Sequence, residues 1–519
     1  MSDQQFYFKP NEKGSGSAKK HSKGKSSSIL RTKTAVIAIS LVALILIGTL
    51  SAYVYARVRF SQISKIAVSN LSTSVANQPM NILLIGSNSR AALKGQQASA
   101  FGNAAQVAGA RSDVTMIAHL DPAHRTVTLV SIPRDLFLPI PGSSNLNRVD
   151  SALNKGPSQL VQTIEQDLGI PIQHVIELNF ITFENVVNAL GGMYMYFPYE
   201  VKDAYSGLNI TKTGCDYLNG FQAIAVVRAR HLQYSTNGVT WSYDPLGDLS
   251  RIRRDHEFMK VLAQQIKAKG ISNPLTLNSV VSAITPYLGL DNTFTFNQLL
   301  SLATTYRNIN PSTISTATLP IALENNYYYL GANYGDVVFA AEPQDSAIIS
   351  QFLGVRTPST PRSQIPVAVV NGTGQYQQAS QTAAQLAALG YNITGTSNTT
   401  VQGSNLETIV RYTPGHLQDA LRVQGDLSGA VVMSQGSTYN GSPVEVITGN
   451  NLTVATLATA SSGSQATSAQ SLSRSQATKA NSISANSVQA TTNLPITLPA
   501  TSSNMPLQPW DPRACPTVP

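Results

Sequence analysis

Residues 35–56, AVIAISLVALILIGTLSAYVYA, contain no charged side chain. As a helix they reach about 33 Å, enough to cross a hydrocarbon core. Residues 1–34 before them are polar and Lys/Ser/Gly-rich, too poor in apolar groups to build a core, and 57–79 read as a stalk. From Met80 the pattern changes to short apolar runs. NILLIG (81–86) reads as a buried strand, and VTMIAHL (114–120) and TVTLVSI (126–132) as a hairpin turned by Asp-Pro. PSQLVQTIEQDL (157–168) has helical spacing, with Pro157 at its first turn and Gly169 as a stop. HVIELNF (174–180) follows as a strand and FENVVNALGG (183–192) as a helix. Further helices are expected over 250–268 and 276–307, and a strand at TATLPI (316–321). Alternating strands and helices predict an α/β or α+β sheet with helices packed on it. QAIAVV before Arg228 fits either element.

The pattern divides the folded part into a first domain over 80–355, a Pro/Thr/Ser linker at 356–364, and a smaller α/β domain over 365–449. Residues 450–505 are Ser, Ala and Thr-rich and read as disordered. Residues 506–519 regain Trp510 and Cys515.

Charge alters the picture at one end. The chain of 519 residues has a formal net charge of +9. Residues 1–34 hold eight basic side chains against Asp3 and Glu12, so +6 of it sits before the apolar span. A basic lead places the N-terminus in the cytoplasm and the bulk outside, facing an anionic inner leaflet rather than nucleic acid. The two cysteines, Cys215 and Cys515, have no metal-ligand spacing. Whether they pair is open at this level.

Motifs of serine hydrolases, zinc peptidases and P-loop enzymes are absent. Arginines at the ends of predicted elements stand out instead: Arg90, Arg111, Arg134, Arg228, Arg230, Arg251, Arg253 and Arg254, interleaved with Asp113, Asp135, Asp248 and Asp255. A guanidinium is a permanent cationic fork for phosphate oxygens. A carboxylate among several such forks suits a divalent cation on a diphosphate. Surface arginines in weak ion pairs are the plain alternative. Asp248 is placed to cap the helix that carries Arg251.

In order along the chain, NILLIGSNSR (81–90), ARSDVTM (110–116), VSIPRDLF (130–137), VRARH (227–231) and DLSRIRRD (248–255) resemble the LytR-CpsA-Psr family of Gram-positive cell-wall proteins. The segment from VAVVNGTG to VEVITG resembles the C-terminal domain that often follows. The resemblance implies a mixed central sheet with flanking helices. It also implies a transferase that moves a glycopolymer from a polyprenyl diphosphate to peptidoglycan as a phosphodiester, with pyrophosphatase action as a side reaction. Carried over residue by residue, Arg111, Arg134, Arg228, Arg230 and Arg251 hold the diphosphate. Arg90, Arg254 and Asp255 contact substrate. Asp113 and Asn88 face Mg2+ (or Mn2+), and the lipid tail lies in an apolar pocket beneath the sheet. Asn88 stands where the family usually has Asp, keeping a carbonyl oxygen without its charge. Asp255 stands where many members have Gln. Two rival readings are a non-catalytic wall or polyprenyl-phosphate binding protein, which Asn88 favours, and a membrane-bound transcriptional regulator. The latter lacks a DNA-reading element in residues 1–34.

Overall fold

The structure, a computed structural model, describes residues 46–87, 112–143, 145–270, 274–353, 360–399, 407–456 and 506–516. A helix, α1, covers 46–61. The chain divides after Val58, and residues 59–519 form one compact unit. Among the described residues no helix is long and apolar enough to cross a membrane. Residues 35–45 of the expected span lie outside the described residues. Its described remainder is helical and exposes Leu46, Ile47, Leu50 and Val54.

Seven strands form the main sheet: β1 (Ser64–Ile66), β2 (Met80–Ser87), β3 (Ser112–Asp121), β4 (Thr126–Ile132), β5 (His174–Asn179), β6 (Leu288–Asp291) and β7 (Ser315–Thr318). Their order is β1-β6-β5-β2-β3-β4-β7. Pairs β2–β3, β3–β4 and β5–β6 are antiparallel and the other three parallel. The sheet is therefore mixed, and both faces are covered. Leu83, Ile85, Ile117 and Val130 point into one core, while Ile82, Met116 and Leu129 point into another. That double burial is why NILLIG reads as a continuous apolar run rather than an alternating one.

The helices that matter here are α2 (Pro157–Leu168), α3 (Phe180–Ala189), α4 (Gly220–Arg228) and α5 (Asp248–Gln265). The α2 boundaries are the expected ones, with Gly169 left-handed at its C-terminus (φ 67°). The helical reading of 276–307 needs correction. The stretch holds a helix over Pro274–Ile284, the strand β6, and a second helix over Phe296–Tyr306. The α-helix stops at Ile284, two residues before Pro286, and a 3-10 turn over Thr285–Tyr287 closes the run. The LGLD that follows pairs with β5 and supplies the docking edge for β1.

Beyond the linker, five strands, β8 (Pro366–Asn371), β9 (Asn392–Asn398), β10 (Thr408–Tyr412), β11 (Val431–Gln435) and β12 (Val444–Thr448), order as β9-β8-β12-β10-β11. One apolar core runs on across the linker: Val370, Ile409, Val432 and Ile447 share it with Leu83 and Val130. Glu342 and Gly429 exchange backbone hydrogen bonds of 2.8 and 3.0 Å across the same seam.

Cys215 and Cys515 are joined, with Cα atoms 5.7 Å apart. Residues 506–516 thus lie on the first domain, and Tyr196 and Arg513 hydrogen-bond through both backbone groups.

Candidate active site

One end of the main sheet gathers the charged side chains. The β2–β3 register slips between Gly86 and Ser87, which face Val114 and Ser112 and leave Asp113 as the extra residue of a bulge. A bulge re-aims its side chain, and Asp113 turns to the arginines. Pro133 ends β4 and Arg134 follows it. Arg230 comes two residues after α4, whose last residue is Arg228. The helical option for QAIAVV is therefore the observed one, and Ala229 is extended (ψ 112°), so Arg228 and Arg230 belong to different local conformations. Gly247, at φ 52°, starts α5, a left-handed turn that glycine adopts without strain.

Asp113 Oδ1 accepts from Arg230 Nη2 at 2.9 Å and from Arg134 Nη1 at 3.4 Å. Asp248 Oδ1 lies 3.1 Å from the Nε of both Arg230 and Arg251, and 3.4 Å from Arg134 Nε. Asp135 bridges Arg134 at 3.4 Å and Arg148 at 3.2 Å. Three guanidinium groups from three separate segments thus meet on two carboxylates. Arg134, Arg230 and Asp248 border a cleft of about 490 Å³ lined also by Asp135, Arg148 and His231, while Arg251 is buried.

Burial opposes ionisation of Asp113, but Arg230, Arg251 and Arg134 outweigh it and hold its carboxyl below the usual range. Asp248 is held down in the same way, by Arg251, Arg230 and Arg134. At Asp135 burial prevails over Arg134 and Arg148, and its carboxyl is pushed up.

The expectation that Asp248 caps α5 needs correction. It is the first helical residue, behind an N-cap at Gly247. Three guanidinium partners claim its oxygens before a backbone amide can.

Arg254 is likewise placed apart from the cleft. Its side chain is fully buried against Asp244 at 2.8 Å and also donates to the Ala229 carbonyl. Arg253 pairs with Asp511 through Nε at 2.5 Å and Nη2 at 3.2 Å. Arg148, which sequence reasoning did not single out, joins the cleft. The RVD of 148–150 was a faint signal, one more Arg beside an acid. Asn88, Arg90 and Arg111 lie outside the described residues.

Asp255 sits between the cluster and an apolar slot of about 40 Å³ walled by Leu84, Met116, Phe183, Val227 and Phe258. A Cβ on Gly86 would stand 2.8 Å from Val114 Cβ, so the two strands close tightly beside the slot. Burial pushes Asp255 up to about 7 although Arg251 and Arg254 pull the other way. A carboxyl raised in the fold binds its proton there while the unfolded chain has released it. The contribution of Asp255 to stability should therefore fall as pH rises from about 4 to about 7 and level off above. Asp255→Asn should remove this residue's share of the slope, leaving that of other buried carboxyls such as Glu342 and Glu407, and stabilise the protein above pH 7 by on the order of a few kcal/mol. Urea unfolding at pH 5 and pH 8 checks this, and an unchanged slope would refute it.

The LytR_cpsA_psr family model matches residues 51–340. The chain belongs to that family. A second model, the LytR cell envelope-related transcriptional attenuator, matches residues 364–451. Among curated LytR_cpsA_psr relatives, the probable cell wall biosynthesis protein LcpB of Corynebacterium glutamicum is 31% identical over 214 residues, 41% of this chain and 48% of that protein. The cell wall biosynthesis protein LcpA of the same organism is 24% identical over 422 residues, 73% of this chain and 78% of that one. The polyisoprenyl-teichoic acid–peptidoglycan teichoic acid transferase TagU of Enterococcus faecalis is 28% identical over 210 residues, 39% of this chain and 56% of TagU. The matches thus span about half the length of LcpB and TagU.

Proposed function

We propose that the protein is a membrane-anchored transferase that moves a glycopolymer from a polyprenyl diphosphate to peptidoglycan. The observation that carries this reading is the meeting of Arg134, Arg230 and Arg251 on Asp113 and Asp248 at one sheet end. Guanidinium groups fixed in advance by carboxylates need little reorganisation when the diphosphate arrives. The acceptor hydroxyl oxygen bonds to the phosphorus that bears the polymer. The P–O bond to the second phosphate breaks, and the polyprenyl monophosphate leaves with the electron pair. The hydroxyl proton passes to a cleft carboxylate, and Asp135, whose proton affinity burial raises, suits that part. The name of TagU, a polyisoprenyl-teichoic acid–peptidoglycan teichoic acid transferase, supports a transfer of this kind, and that of LcpA supports a part in cell wall biosynthesis.

The residues fit a hard divalent cation to this extent: Asp113 is turned inward by the bulge and held ionised. No group of three potential ligand side chains comes together among the described residues. Mg2+ asks for less, since it binds through one or two carboxylates with substrate phosphates and keeps several waters. When bound, the ion (Mg2+ or Mn2+) would neutralise charge on the diphosphate. The apolar slot lies where a lipid tail would run, and at its present size α3 to α5 must part from the sheet to admit one. Residues 1–34 are assigned to the cytoplasm and residues beyond 60 to the outer face. Protease added to wall-stripped cells should spare an N-terminal tag.

The reaction is tested by incubating the protein with a lipid-diphosphate-linked glycan, peptidoglycan oligomers and magnesium. The expected result is a phosphodiester-linked product with release of polyprenyl monophosphate. No product over a range of glycans, with the protein folded, would reject the reading.

A further inference from the structure

The segment 506–516 returns from far along the chain to grip α5 on the side away from the cleft. Asp511 is fully buried and takes Arg253 in a two-pronged pair. Trp510 stacks on Tyr234 with ring centres 4.2 Å apart, and its Nε1 donates to Asp244 at 3.2 Å. Asp244 in turn receives Arg254 and the Ser250 hydroxyl. One turn further on, the Ala514 amide donates to Glu257 at 3.1 Å. The other margin of the segment is fixed to the hairpin Met193–Phe197/Gly214–Leu218 through Arg513 and the disulfide.

The start of α5 needs an external hold. No side chain caps its N-terminus, and Asp248, the acid best placed to help, is spent on three guanidinium groups. The first turn nevertheless carries Asp248 to the cleft and Arg251 onto Asp248, and the next two turns carry Asp255 and Phe258 to the slot.

We propose that residues 506–516 are a strap that fixes α5 against the hairpin, and that Asp511 is thereby a positioning residue for Asp248 and Arg251. This rests on the transferase reading for its effect on rate, but not for its effect on the helix. Arg253 and Arg251 project on opposite sides of α5, two positions and about 200° apart. The pull of Asp511 on Arg253 therefore sets where Arg251 and Asp248 stand relative to Arg230 and Asp113.

The test uses the full chain with a protease site inserted near residue 480. After cleavage the disulfide retains the segment; reduction releases it; a synthetic 506–516 peptide is then added back. Amide hydrogen exchange over 248–254 should rise at least about tenfold on release and recover with the peptide, while exchange in β2 to β4 stays constant. Affinity for geranylgeranyl diphosphate, used as the probe, should fall and recover in parallel. The transfer kcat should drop by about 10²-fold with KM for peptidoglycan oligomers little changed. Asp511→Asn should reproduce the loss in the uncut chain, and the peptide carrying the same change should fail to restore the released protein. If 248–254 exchange is unmoved by release, or if the released protein binds the probe and turns over as before, the strap proposal is overturned. If the intact protein binds the probe without transferring polymer while release still loosens α5, the strap stands and the transferase reading fails.

Discussion

Arg230→Lys should lower polymer transfer by about 10²- to 10³-fold without unfolding the protein. Arg230 reaches Asp113 through Nη2 and Asp248 through Nε, so one planar group spans two carboxylates on two elements. A lysine ammonium keeps the charge but offers one point where two are needed. It would satisfy one acid and leave the other short. The same reasoning applies to Arg251, buried and tied to Asp248 through two nitrogens. Arg134, joined to Asp113, Asp135 and Asp248, should be as sensitive. Arg59→Ala, outside the cluster, is the control and should change little. Steady-state transfer on each purified variant, with circular dichroism to verify folding, makes the measurement. Wild-type rates from folded Arg134, Arg230 and Arg251 variants would remove the basis for phosphoryl transfer here.

Much of this geometry could be anticipated from the chain. The strands around NILLIG and TVTLVSI, the helix 157–168 and the break after Pro133 follow from apolar spacing and from what proline forbids. What could not be anticipated is which side of α5 each arginine serves. DLSRIRRD reads as a single basic cluster, yet Arg251 joins Asp248 in the arginine–aspartate cluster while Arg253 and Arg254 support a separate buried network. Its key acid, Asp511, lies 258 positions further on, and no local pattern connects them. The bulge that turns Asp113 inward is equally silent, because it depends on a register slip between two strands rather than on either strand alone. LGLD (288–291) was missed because four residues between two helical patterns carry too little periodicity to compete with their surroundings.

The largest stability effect should come from that second network. Asp244→Ala is expected to cost about 3–5 kcal/mol, the usual result of stripping one partner from a buried ion pair. Asp244 accepts from Arg254, Arg253, Trp510 and Ser250. Arg254 and Arg253 are almost wholly buried, with 0% and 2% of their side chains exposed. Without Asp244 two guanidinium groups would share Asp511, and Arg254 reaches that acid only at 3.7 Å. Guanidinium chloride unfolding should show the loss as a lower midpoint. A change below about 1 kcal/mol would mean that the network behaves like a set of exposed ion pairs.

The apolar core that runs on past the linker has a consequence for how this protein unfolds and how it is cut. Val370, Ile409, Val432 and Ile447 belong to one core with Leu83, Ile85 and Val130, so the regions matched by the two family models should melt as a single unit rather than two. Heat should reveal one cooperative transition where the family boundaries would forecast a pair. A shortened chain ending in the 356–364 linker would turn that inner surface outward as a raw hydrophobic face, the kind that recruits neighbours into aggregates. Poor solubility of such a fragment would then reflect the lost half of a shared interior, and not a failure of the first domain to form.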